Sequence, residues 1–307
     1  MWSHKTLLEK SFLFASRAMD VEDRNSSIFP FWCALSLELI ARSALAKVHS
    51  SLLADSQQNS DSVLFACGIP GIKSPKSIQT KQVFLRCNKL IENFTERDYK
   101  FSMLLMEKRN EELHTGATPF ENWQHNEWLP EYYRVCQILL HYIEKELKDM
   151  FGEKEATAVE KMLKASLANK KEEAHKILNR QKETFSKLPI TDRLEKIKNS
   201  QKLQPRDYKA LLRGKTIDCP ACEGSATIIG ELIRSSNPRD EDGELVQNDL
   251  YLPEKLQCYS CGLFIEGYDY LQGIGLGETF QKKDVLDPME YYEIDPADYY
   301  EPDYDPY

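Results

Sequence analysis

The run Arg109-Asn110-Glu111-Glu112-Leu113-His114 sets a permanently charged guanidinium five residues before a side chain that titrates near neutral pH, with no metal-ligand pattern around it. An arginine can neutralise the extra charge of a phosphate in a transition state, and a histidine can move a proton. Thr115-Gly116 follows, which makes Gly116 the expected residue just past a helix end. His114 then lies in the last helical turn, beside unpaired carbonyls. Five residues correspond to about 140° of helical rotation, so the two side chains do not stack as an i,i+4 pair. A second helix must supply the other wall of any groove they share. A solvated helix end with mixed charges reads the same way over six residues.

A second chemistry is written in Cys219-Pro-Ala-Cys222 and Cys258-Tyr-Ser-Cys261, a C-x2-C-x35-C-x2-C arrangement. Two such turns place four thiolates tetrahedrally about one Zn²⁺. The alternative is a pair of redox dithiols, but neither pair sits in a thioredoxin-like βαβ pattern. With all four positions filled by protein, the metal is structural, one per chain. Residues 219–261 carry three bases against eight acids, which favours a folding and protein-contact role over phosphate binding. Ser225–Arg234, Leu250–Leu252 and Leu263–Tyr268 read as strands of a zinc ribbon. Cys33, Cys67, Cys87 and Cys136 are isolated among apolar neighbours and are expected to be buried thiols.

Helices must position the arginine and histidine. Apolar periodicity predicts helices over 3–19, from Pro30 to about 54, and over about 79–93, 96–115 and 126–150, with a Ser-, Gly- and Pro-rich loop at 55–78. Five amphipathic helices with few strand signals make an α-bundle. Glu38 and Arg42 fall one turn apart on the second helix. They either form a helix-stabilising pair, or Glu38 orients a catalytic arginine in the bundle groove. Residues 153–186 form a further helix with a sparse apolar stripe (Met162, Leu163, Leu167, Leu178). Arg206–Arg213 reads as a last short helix.

The net charge of −9 is unevenly spread. It is −1 over 1–150, +7 over 151–218, −6 over 219–283 and −9 over 284–307. The expected organisation is a helical bundle (1–150), a basic helical arm (151–215), the ribbon (216–283) and an acidic Tyr/Pro-rich tail (284–307). The fold class is thus mainly α with a small β-rich module. The arm is either a solvated helix or a phosphate-tracking surface with salt-sensitive binding. The tail has nine acids, six tyrosines, four prolines and no Lys or Arg, and is expected to be disordered. It either solubilises the chain or imitates nucleic acid, with carboxylates for phosphates and tyrosines for bases. Gly68–Ser74 lacks the P-loop glycine before Lys73, and Gly273–Gly277 is a lone Gly-rich turn. No secretory pattern and no uninterrupted apolar run of 18 residues is present, so a cytoplasmic setting without a membrane is expected.

Arg109-Asn110 with His114, together with the helix Ala34–Ala46, resembles the R-φ-x3-H motif and long second helix of the HEPN superfamily, over roughly residues 1–150. The resemblance implies an all-α domain that pairs as a homodimer so that two motifs face one cleft. It also implies metal-independent endoribonuclease chemistry on RNA. In that chemistry His114 acts as general base and acid, Arg109 stabilises the phosphorane charge, and Asn110 holds the phosphate or orients the arginine. Toxins and antiviral-defence effectors are common in that superfamily. The competing expectation is a non-catalytic dimeric adaptor that binds nucleic acid, or a protein partner through the ribbon or tail.

Overall fold

A computed structural model describes residues 2–56, 60–73, 75–121, 123–200 and 213–292. The chain divides into two compact units, Met1–Ser166 and Leu167 onward. The division falls inside a helix of the segment expected to be a linker.

The first unit is helical: α1 His4–Met19, α2 Ile28–Val48, a 3₁₀ turn Ser50–Leu53, α3 Asp61–Ala66, α4 Thr80–Leu90, α5 Glu96–His114, α6 His125–Tyr142, α7 Leu147–Phe151 and the first half of α8 Glu153–Ser186. Two of the helix starts have a clear local cause. Ser3 accepts from the Thr6 N–H at the head of α1, and Thr95 with Asp98 forms a reciprocal capping box at the head of α5. Helix α2 is the centre, burying Cys33, Ala34, Leu37, Ile40, Ala41, Ala44 and Leu45. Its small residues let α1 approach closely. Among the described residues α2 is the one helix long and apolar enough to cross a membrane, and most of it is buried within the bundle.

The helix expected over 126–150 is interrupted after Tyr142, where Glu144 adopts φ 61°, and α7 restarts it at Leu147. The 55–78 loop contains α3. Cys67, at the exposed end of α3, is not buried, whereas Cys33, Cys87 and Cys136 are. Burial raises the thiol pKa of those three, so they are inert at neutral pH. The end of α5 is not closed by a left-handed Gly116. Thr115 is extended, and its hydroxyl donates to the Glu111 carbonyl at 2.8 Å while accepting from the Ala117 N–H at 3.0 Å.

The second unit holds the rest of α8, α9 Ile190–Ser200 and a six-stranded antiparallel sheet: β1 Gly214–Asp218, β2 Ser225–Ser235, β3 Arg239–Glu241, β4 Glu244–Cys258, β5 Phe264–Glu266 and β6 Phe280–Leu286. Short helices α10 Tyr268–Gly273 and α11 Pro288–Tyr291 flank β6. The 15-residue β4 is the spine, pairing with β2 and β3 and, through β5 and β6, along its other edge. A tight turn at Asp242 and Gly243, both with positive φ, joins β3 to β4. The sheet is larger than the expected ribbon, so the described chain joins its predominant helices to a substantial antiparallel sheet.

The basic segment is not a free arm. Ala156 and Val159 sit in the bundle core with Met162 and Leu163 against it, while Leu178 and Phe185 join the core beneath the sheet. Leu167, expected on the same stripe, is half exposed. In the second unit Lys170 pairs with Asp269 at 2.9 Å, Tyr270 donates to Glu173 at 2.9 Å, and Gln181 donates to the Cys261 carbonyl. Lys171, Lys176, Arg180, Lys182 and Lys187 remain on the solvent face. The expected helix at 206–213, apart from Arg213, and tail residues 293–307 lie outside the described residues.

Candidate functional site

Helix α5 delivers Arg109 to the interior of the bundle, where its side chain is only 10% exposed. There Nη1 donates to Oε2 of Glu38, from α2, at 3.0 Å. The other oxygen of Glu38 accepts from Arg42 Nε at 2.9 Å, Arg42 Nη2 at 2.8 Å and Thr80 Oγ1 at 2.8 Å. Arg42 in turn reaches the Ile78 carbonyl at 3.1 Å. Burial pushes the Glu38 carboxyl pKa up, but Arg42 and Arg109 with their hydrogen bonds outweigh it and hold it below the usual carboxylate range. Glu38 is therefore charged at neutral pH, with two guanidiniums converging on it. The i,i+4 pair read from sequence exists, and the same carboxylate also holds Arg109.

Two polar atoms at this place have no partner: Arg109 Nε and Glu112 Oε2 are both buried and make no hydrogen bond among the described residues. Each such atom costs about 1–3 kcal/mol when left unmatched. The arginine thus keeps one directed donor uncommitted beside its ion pair.

His114 and Asn110 lie elsewhere on the helix surface. Both are exposed, and neither side chain makes a hydrogen bond or ion pair among the described residues. Within one chain Arg109 points inward and His114 outward, as the helical phase requires, and among the described residues no wall brings them together. Thr80, which sequence reasoning missed, is the polar side chain that completes the Glu38 cradle. No local motif marks it, because it comes from the first residue of α4, 42 positions from Glu38.

The four cysteines of the second unit do converge. Cys219 Sγ lies 3.7 Å from Cys261 Sγ, Cys222 Sγ lies 3.5 Å from Cys258 Sγ, and all four sulfurs fall within 4.8 Å of one another. Four thiolates at about 2.3 Å from a tetrahedral ion have edges of about 3.8 Å, so the donor set fits one such metal. The close pairs run between the two motifs, which disfavours two separate dithiols. Each motif is a knuckle: the Cys219 N–H donates to the Gly224 carbonyl and the Cys258 N–H to the Leu263 carbonyl, both at 2.8 Å. Backbone N–H groups of Ala221 and Ser260 point at Cys219 and Cys258 sulfurs at 3.4 Å. Glu223 and Gly262 take the positive φ each knuckle needs. Hydrogen bonds from Cys219 and Cys261 outweigh burial and lower the Cys258 thiol pKa. A Cβ on Gly224 would meet Ser260 Oγ at 2.0 Å, so the two knuckles touch where glycine alone fits.

In comparisons with known proteins, no family model, no curated protein and no solved structure matches the chain. Any functional reading therefore rests on these two sites.

Proposed function

We propose that the chain is a metal-independent endoribonuclease of the HEPN type, acting as a homodimer on RNA in the cytoplasm. The observation that carries this reading is the 3.0 Å contact from Glu38 to Arg109, which fixes a guanidinium with a spare Nε donor on the helix that ends in unpartnered His114. A structural arginine pair explains the contact with Glu38; the exposed, unpartnered His114 at the end of the same helix supplies a proton-transfer group that the pair does not use. The missing wall of the groove is then the same helix end of a second copy.

In that arrangement the ribose 2′-oxygen attacks the adjacent phosphorus, and the P–O5′ bond breaks. One His114 takes the 2′-OH proton as the O2′–P bond forms. The other gives a proton to the departing 5′-oxygen, leaving a 2′,3′-cyclic phosphate and a 5′-hydroxyl. Arg109 offsets the charge that builds on the phosphorane oxygens, and exposed Asn110 holds a phosphate oxygen or the arginine. Glu38, with Arg42 and Thr80 behind it, positions Arg109 and touches no reacting atom. The four cysteines hold one Zn²⁺ per chain, which supplies folding energy to the second unit and takes no part in cleavage. Toxin and antiviral-defence roles suit such an activity.

A second reading is favoured by one observation, that a single chain leaves Arg109 and His114 apart. In it the bundle is a non-catalytic dimeric adaptor, and the zinc unit or tail recruits a protein or nucleic acid. Incubating generic RNA with the full metal-loaded chain separates the two. The nuclease reading expects cyclic-phosphate ends, blockage by a 2′-deoxy substitution at the cut site, and losses of about 10²-fold or more in His114→Ala and Arg109→Ala. Equal cleavage by both variants, or no cleavage by folded, RNA-binding protein, selects the adaptor.

A further inference from the structure

On the outer face of the bundle, α1 presents Lys10, Phe14 and Arg17 at i, i+4 and i+7, one above the other. Beside them α2 presents Phe31 and Trp32. The Phe14 and Trp32 rings stand 5.4 Å apart between centroids at 42°, and Phe31 meets Trp32 edge-on at 5.7 Å. The Arg17 guanidinium lies over both rings, 5.0 Å from Trp32 and 5.5 Å from Phe14, and the Lys10 ammonium is 5.6 Å from Phe14. Leu13, 50% exposed, borders them.

Phe31 and Trp32 pack against the edge of the bundle core but stay part-buried, and Phe14, also part-buried, is not among the side chains packed on that core. Neither cation makes an ion pair or hydrogen bond among the described residues, although Asp20, at i+3 from Arg17, is exposed within helical reach. The Trp32 indole N–H also has no partner among the described residues. Part-buried rings interleaved with cations that have no anionic partner among the described residues suit unpaired nucleotides: the phosphates draw Lys10 and Arg17 off the rings they now cover, and bases stack in their place. The lysines on the solvent face of α8 differ, because they carry charge without aromatic rings and can follow only a phosphate backbone.

We infer that this α1–α2 face is a stacking platform for the bases of single-stranded RNA. The inference rests on the RNA reading above and names the surface that holds the strand. Aromatic stacking tolerates any base, so the platform selects unpaired over paired RNA and has little sequence preference.

The test uses the full metal-loaded chain with His114→Ala, so that binding is measured without cleavage and stays interpretable if the parent chain cleaves nothing. Fluorescence anisotropy compares a short oligouridylate with an abasic phosphodiester of equal length. Trp32→Ala and Phe14→Ala are each expected to weaken oligouridylate binding by about 5- to 150-fold, the usual loss for one stacked base, and to leave the abasic strand unaffected. Trp32→Phe keeps a ring and restores binding, which separates stacking from misfolding. Replacing Lys10 and Arg17 together by Ala should reduce the salt dependence of log K by about 1.4, at about 0.7 per phosphate contact. Unchanged oligouridylate binding in both ring variants overturns the inference, as does an abasic strand that binds as tightly as oligouridylate. Conversion of a dimer to a monomer by Trp32→Ala, with RNA affinity per chain unchanged, also overturns it and gives the face to a second copy.

Discussion

The cysteine cluster and the Arg109–His114 helix end differ in what one chain completes. Four sulfurs from two knuckles close into a single donor set within 4.8 Å, with backbone N–H groups already aimed at them. The helix end supplies an anchored arginine, an open donor and a free imidazole facing different ways. A knuckle carries its own geometry in six residues, so spacing in sequence becomes spacing in space. A helix projects successive side chains around an axis, so a motif on it becomes a site only when another surface meets it. On the proposed reading, the first site is finished on folding and the second on assembly.

The largest effect that can break this contrast is loss of the metal. Chelation, or Cys258→Ser, should unfold the sheet, because apparent binding energies at such thiolate sites are about 10–16 kcal/mol and are folding energy. Limited proteolysis of the full chain should show residues beyond Leu167 losing protection while the bundle keeps its own. Equal protection with and without metal breaks the claim that the cluster is complete and metal-dependent.

Glu38→Gln comes next. Removing its charge leaves Arg42 and Arg109 facing a neutral amide in the interior, at a cost of about 3–5 kcal/mol at neutral pH. The Glu38 pKa is lowered from the ordinary 4.5, so its contribution is complete above that value and is lost as pH falls through the folded value. Denaturant midpoints should therefore differ most near pH 7 and converge in acid. A constant gap across that range contradicts the charge pairing.

How legible was all this in the sequence? The helices now seen at 4–19, 80–90, 96–114 and 153–186 were readable within a few residues, since each has an apolar stripe at helical spacing. The four cysteines were readable because their ligand spacing is rigid. The division at Ser166 was not, because Met162 and Leu178 look like one continuous stripe although they serve different cores. Of the extra strands, β3 and the start of β4 are signalled by Asp242-Gly243, a hairpin turn pair, while β1 and β6 carry no such mark. Thr80 and the Glu38–Arg109 contact depend on long-range packing, which no local pattern encodes. The exposure of Cys67 follows from its place at the end of the short α3, itself hidden in a Ser- and Gly-rich run.

Smaller effects sharpen the comparison. Gly230 lies in β2 where a Cβ would meet Tyr251 Cβ at 2.6 Å and the Phe280 ring at 2.9 Å, beneath the stacked Tyr251–Phe280 pair. Gly230→Ala should cost about 1–3 kcal/mol by overpacking, read as a lower denaturation midpoint. His114→Ala should change stability by less than about 0.5 kcal/mol, because the side chain is exposed and unpartnered. Thermal denaturation of that variant checks whether the imidazole is free of any structural duty.

The claim that the second site is finished only on assembly is tested most directly by one dilution series of the metal-loaded chain. Sedimentation velocity and initial RNA-cleavage rate are measured on the same samples. The account predicts that activity per chain falls in step with the dimer fraction and vanishes in the monomer. Constant activity per chain through a dimer-to-monomer transition contradicts it.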